Sequence, residues 1–175
     1  MKGKERKTVG LISISSTDLG RSFERRVLDA FLGNGYVRMK KNHWMRNYDF
    51  ISDPATKREY DLVLMRISSL QVYVLECKAH YSSDSLVGLE EVTEFHIKLV
   101  NYNGLRTVPL MVTDSGFTRC AKQYAGKNRI SLVSGADLLA LERSASLVQR
   151  LKGRFLSVAY SSAEHAFGSA VRGCL

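Results

Sequence analysis

Apolar residues recur near the start of the chain at Leu19, Phe23, Val27, Ala30 and Phe31, the three-to-four spacing of one helix face. The spacing predicts a helix over 18–32, capped by Thr17 or Asp18 and ended by Gly33-Asn34-Gly35. Before it, 1–16 reads as an arm or a short strand carrying VGLISIS. After it, 36–41 reads as a strand and 42–57 as irregular or strand-like, with turn chemistry at Ser52-Asp53-Pro54. Two strands follow, over 60–66 and 70–79, then a helix over 84–100 with Leu86, Leu89, Val92, Phe95 and Leu99 on one side. That stripe reads as core or dimer face, not as a cofactor box. The all-apolar run 108–113 has the composition of a strand covered on both faces. A helix over 117–125, a strand over 130–133 and a helix over 136–143 complete the pattern. Past residue 144, Leu147, Leu151 and Phe155 predict one more amphipathic helix, and 168–175 reads as a fraying end. The order α-β-β-β-α-β, then α-β-α, implies an α/β architecture: a mixed sheet flanked by helices. The expected division is an N-terminal arm over 1–17, a domain over 18–143 and a helical extension over 144–175.

Charge alters this picture. The 175 residues carry 26 Lys and Arg against 17 Asp and Glu, a net +9, which favours polyanionic partners. The excess is uneven: residues 1–50 hold eleven basic residues against five acids, and Arg119, Lys122, Lys127 and Arg129 form a second group. Arg150, Lys152 and Arg154 form a third. No apolar run reaches the roughly 20 residues of a membrane helix. The basic start, MKGKERKTVG, lacks the apolar stretch of a secretory signal, so the expected location is the cytoplasm. Cys77, Cys120 and Cys174 are far apart and odd in number, which argues against a disulfide framework or a thiolate zinc site.

The strands around residues 60–79 pose a chemical problem. A hairpin turning between Ser68 and Ser69 pairs positions that sum to 137, and Asp61 with Glu76 satisfies that sum. Lys78 is two residues beyond Glu76 and shares its face, while Tyr73, Leu75, Cys77 and Ala79 fill the other face. A slip of one residue would send Asp61 to the opposite side. Two carboxylates held close repel, and burying them without compensation is costly. Two readings of the residue types stay open. In one, Lys78 simply neutralises a structural ion network. In the other, the carboxylates form an incomplete oxygen cage for a hard divalent cation such as Mg²⁺.

Asp61 followed by Glu76-Cys77-Lys78 resembles the PD-(D/E)xK nuclease pattern, an acid at the start of one strand and E-x-K on the next. GRSFERRVLDAFLGNGYVRMKK resembles the opening helix and strand of Mrr-like restriction endonuclease domains, and VPLMVTDSGFTRCAKQYAGKNRISLVSGADLLALE resembles their closing segment. The likeness spans roughly 20–142. It implies a restriction-endonuclease-like fold and Mg²⁺-dependent hydrolysis of DNA phosphodiesters, with Mn²⁺ a substitute and 5′-phosphate ends as products. It implies that Asp61, Glu76 and the backbone carbonyl of Cys77 hold the metal. Lys78 would orient or help deprotonate the attacking water, and Glu24 on the first helix would support the site. Glu24 also has a second reading, as a surface carboxylate beside Arg21 or Arg25.

The chain also departs from the family. Many Mrr-like domains carry Gln where Glu76 stands and a Gly-rich Asp loop where KREYDLVL stands. REYDLV…LECK is nearer the general nuclease form, including that of archaeal Holliday-junction resolvases, which also place a Glu beside an Arg as Glu24-Arg25 does here. Branched DNA is therefore an alternative substrate, and a DNA-binding domain without turnover is an alternative of another class. Enzymes that cut both strands commonly pair, so a homodimer is compatible with the reading.

Candidate nucleic-acid contacts are Arg25, Lys40, Lys41, His43, Arg46, Ser115, Thr118, Arg119 and Lys122. His43 beside Trp44 suits base stacking and phosphate contact, or a Trp packed at a sheet edge. Ser115 and Thr118 suit an anion-binding helix start, and helix capping explains them as well. Asp49 and Asp53 compete with Asp61 as the metal carboxylate, and Asp53 ranks lower because it precedes Pro54 in a turn. His80 shares the face of Lys78 on a continuing strand and reads chiefly as a strand-end residue.

Overall fold

The computed structural model describes residues 16–46, 57–80, 85–99 and 107–158. The arm over 1–15, Asp49, Asp53, Asp84 and Cys174 lie outside the described residues, as do the side chains of Lys40, Lys41, His43, Trp44 and Arg46.

Helix α1 spans Ser16–Leu32 and is followed by β1, Tyr36–Arg46. The strand continues five residues past the expected end because its whole length pairs antiparallel with β2, Lys57–Arg66. A bulge between Arg38 and Lys40 shifts that register. β2 pairs antiparallel with β3, Gln71–Lys78, through Leu62–Leu75, Val63–Val74 and Met65–Val72, each summing to 137 as the hairpin argument requires. β3 then pairs in parallel with β5, Thr107–Thr113, and β5 with β7, Ser131–Val133. The sheet order is β1-β2-β3-β5-β7.

The helix expected over 84–100 is shorter. Leu86–Val87 form a two-residue strand, β4, parallel to β6 at Gly116–Phe117, and α2 runs only from Leu89 to Leu99. The local reason is a cap: the Gly88 N–H donates to Glu91 Oε2 at 2.7 Å, so Gly88 marks the start of the helix. Leu86 and Leu89 are exposed, whereas Val92 and Phe95 are core. α3, Arg119–Lys127, begins two residues later than expected because Thr118 is its N-cap, accepting from the Ala121 N–H. α4, Gly135–Ser144, opens on a capping box in which Ser134 and Asp137 satisfy each other's backbone N–H groups.

The sheet is covered on both sides. α1 and α4 supply Phe23, Val27, Phe31 and Leu138 against Leu62, Leu64, Leu75, Leu110 and Val112. α2 and α3 supply Val92, Phe95, Ala121 and Ala125 against Val74 and Met111. Tyr60 and Leu62, two residues apart, pack in opposite layers, so the alternation of β2 breaks at Asp61. Gly135 permits a close approach behind the sheet: a Cβ there would lie 2.1 Å from the Asp114 carbonyl oxygen.

A fifth helix, α5, spans 147–158. The extension forms a helix as expected, but Leu147, Leu151 and Phe155 face outward, each more than two-thirds exposed. The opposite face makes the contact. A Cβ on Gly153 would meet the Tyr36 carbonyl oxygen at 2.7 Å. Ser157 Oγ accepts from the Arg38 N–H at 2.8 Å and donates to the Gly153 carbonyl at 2.6 Å. Small residues let α5 lie directly on the edge strand β1, which shields unpaired strand groups from other chains.

Candidate active site

The end of β3 lies against the last turn of α2, which carries Lys98. Val74 belongs to the α2 layer and Leu75 to the α1 layer, so strand alternation points Glu76 toward α2 and Cys77 toward α1. Glu76 is only 5% exposed, one of three polar or charged residues buried among those described. Its Oε1 lies 2.6 Å from Lys98 Nζ and 3.7 Å from Lys78 Nζ. Its Oε2 is buried with no hydrogen-bond partner among the described residues.

Asp61 enters from β2. The break in alternation turns its carboxylate toward the neighbouring backbone, where Oδ2 accepts from the Cys77 N–H at 2.7 Å. Burial, then the charge of Glu76, and to a lesser degree that of Glu24, push the Asp61 carboxyl from 3.8 to about 6; the Cys77 N–H and Lys98 oppose the rise. Glu76 and Glu24 therefore both act on Asp61 through space. The Cys77 thiol is pushed up by burial and by these same acids, which makes it a poor nucleophile and leaves its backbone as the useful part.

Lys98 is absent from the sequence reading. It occupies the last turn of α2, and the Tyr60 hydroxyl donates to its carbonyl oxygen at 2.5 Å. One helix thus delivers both a counter-charge to Glu76 and an anchor for the residue preceding Asp61.

The other candidates are spread more widely. Glu24 and Arg25 line a cavity beside α1. Lys40, Lys41 and His43 occur on β1, paired by backbone with Val63, Leu62 and Tyr60. Ser115 follows β5, where its Oγ is 3.2 Å from Thr113 Oγ1, and Thr113 pairs with Lys78. Ser115 is thus near the carboxyl ends of the parallel strands, while Thr118 is occupied as the α3 cap. Arg119 and Lys122 are exposed on α3. His80 is fixed by its backbone N–H, which donates to Asp114 Oδ1 at 3.0 Å.

Among the described residues, no three His, Cys, Asp or Glu side chains gather as a metal cage. Two carboxylates with a backbone carbonyl beside them remain, and their electrostatics suit a hard cation. One is raised to about 6 by burial and by its carboxylate neighbour, and the other has a buried oxygen without a partner among the described residues. No helix among the described residues is long and apolar enough to cross a membrane.

The fold is shared with solved structures. A protein of unknown function, AF1548, superposes with a TM-score of 0.53 at 21% identity, over 67% of this chain and 65% of that one. Can2 from Sulfobacillus thermosulfidooxidans, solved in complex with cyclic tetra-adenylate, gives a TM-score of 0.52 at 17% identity, over 71% of this chain and 34% of that one. The chain thus spans less than two-thirds of either neighbour's length. The comparison with curated proteins gave no match. The family model Mrr_cat, restriction endonuclease, matches residues 17–141, from the first turn of α1 into α4, and encloses every residue of the carboxylate cluster. This chain belongs to the Mrr_cat restriction endonuclease family.

Proposed function

We propose that the protein is a Mg²⁺-dependent endodeoxyribonuclease whose reaction is carried by Asp61, Glu76 and Lys78. The observation that supports this most is the convergence of Asp61, from the middle of β2, with Glu76, near the end of β3, where Lys98 and Lys78 meet only one Glu76 oxygen. There the Asp61 carboxyl is raised to about 6 by burial and by Glu76, beside a buried Glu76 oxygen without a partner. Asp61, Glu76 and the Cys77 carbonyl would hold the divalent ion. Bound there, it would supply positive charge to a phosphate in the transition state and acidify a water.

The chain's own groups do the rest. The Cys77 N–H fixes the rotamer of Asp61, so the carboxylate is aimed before substrate arrives. Lys98 orients Glu76 through an ion pair of 2.6 Å. Lys78, about one-third exposed on the same face as Glu76 and 3.7 Å from its Oε1, is placed to orient the attacking water as an ammonium donor. Glu24 adds negative charge from α1 and raises the cluster's demand for a cation.

Glu76→Ala and Lys78→Ala should each reduce Mg²⁺-dependent cleavage of plasmid DNA by at least about a hundredfold. DNA binding should change little, as gel shift measures. Undiminished cleavage in both variants ends the reading.

One observation favours a rival. Lys98 lies closer to Glu76 than Lys78 does, as in a closed ion network without turnover. A domain of that kind would bind DNA without Mg²⁺ and leave it unnicked at any Mg²⁺ concentration. Comparing a four-way junction with linear duplex as substrate separates junction resolution from ordinary cleavage.

A further inference from the structure

The cavity beside α1 is built in part by residues outside the family match. Its volume is about 680 Å³, and its walls come from α1, from Arg38 of β1 and Leu62 of β2, and from α5. Glu24 lines the cavity and its charge reaches Asp61, so the cavity neighbours the carboxylate cluster of the candidate active site on the α1 side. Its charge is opposite to that cluster's. Arg21, Arg25, Arg38 and Arg154 line it against Glu24 and Asp29, and Arg154 is paired with Asp29 at 2.6 Å.

We propose that this cavity binds the phosphodiester backbone of DNA next to the scissile position. Arg21, Arg25 and Arg38 are the phosphate contacts, and α5 is the wall that positions them. The proposal rests on the DNA reading above and adds where the strand lies. A carboxylate cluster repels a polyanion, so a strand reaching it needs compensating charge close by. Guanidinium groups match phosphate oxygens in pairs, which fixes the strand as well as attracting it.

The local architecture holds the most buried of these arginines in place. Arg38 immediately precedes the β-bulge, and its N–H is held by Ser157 of α5. Ser157 is in turn tied to the Gly153 carbonyl, and Gly153 touches the backbone of Tyr36. The Arg154–Asp29 pair fastens the same helix to α1. Arg38 is thus a positioned binding residue, and α5 acts through it.

The test uses the full chain carrying Glu76→Gln, so that DNA is bound without being cut. Binding of a labelled duplex of about 20 base pairs is followed by fluorescence anisotropy over a range of salt concentrations. Arg38→Gln and the pair Arg21→Gln with Arg25→Gln should each weaken binding several-fold. They should lower the slope of log affinity against log salt by about 1 for each phosphate contact removed. Arg38→Lys should keep the slope but not the full affinity. Gly153→Val should reproduce the loss of Arg38→Gln without removing any charge. Should that variant unfold in a thermal melt, the arginine variants decide alone.

Unchanged slopes in the arginine variants overturn the proposal. The nuclease reading survives that outcome if Glu76→Gln still blocks cleavage in the otherwise unaltered chain. An unaltered chain that binds no duplex at any salt concentration overturns both.

Discussion

At the scale of single residues, the group under most tension is Asp61. In the unfolded chain its carboxyl titrates near 3.8, and in the fold near 6, so the folded protein holds the extra proton between those values. Its contribution to stability is therefore fully present below about pH 4 and is lost as pH rises through 6, by up to about 3 kcal/mol. Metal-free protein should show this loss in thermal melts between about pH 4 and pH 7, and Asp61→Asn should flatten it. Added Mg²⁺ should raise the melting temperature more near pH 7.5 than near pH 5, because only the ionised carboxylate is a ligand. Equal stabilisation at both values would exclude Asp61 from the metal site. Lys98 shows why sequence alone leaves such a site incomplete. Glu76 and Lys78 are two apart on a strand, and the hairpin sum brings Asp61 near Glu76, although the β2–β3 pairing ends at Leu62–Leu75 and Asp61 bonds the Cys77 N–H instead of simply facing Glu76. Lys98 is 22 residues from Glu76 on a helix, where a charge beside Phe95 and Leu99 looks like ordinary solvent-facing polarity. Only tertiary packing brings it back.

The same contrast between local and distant information governs the elements. Helix α1 and the β2–β3 register follow from periodicity, since each is set by which face must be buried. The expected start of α2 was wrong because an apolar stripe extends back through Leu86, while the Gly88–Glu91 cap lies inside it. α5 reverses the usual rule. Its large apolar residues are outside and its contact face is Gly153 and Ser157. Periodicity marks such a helix but cannot say which side packs, because close backbone approach favours residues without bulk. Polar replacement of the stripe, Leu151→Ser with Phe155→Ser, should therefore shift stability by less than about 1 kcal/mol. Phe95→Ala in the core of the α2 layer should cost about 3–5 kcal/mol. Chemical denaturation measures both.

For the molecule as a whole, the sheet combines two regimes. Antiparallel β1 and β2 form the edge that α5 covers, and parallel β3, β5 and β7 lie beyond them. The carboxylates sit where these regimes meet, with Asp61 in the middle of β2 and Glu76 near the end of β3. A net charge of +9 predicts that DNA affinity falls steeply with salt, and the slope measures how many phosphates the surface engages.

Gly135 is removed from the carboxylates in sequence, yet it is linked to His80, two residues beyond Lys78. The space it leaves lets the Asp114 carbonyl approach, and the Asp114 carboxylate holds the N–H of His80. A genetic screen for alleles that abolish function should therefore recover Gly135 alongside Asp61 and Glu76. Its alleles would differ from those two in lowering the melting temperature of the purified protein, because any side chain there meets backbone.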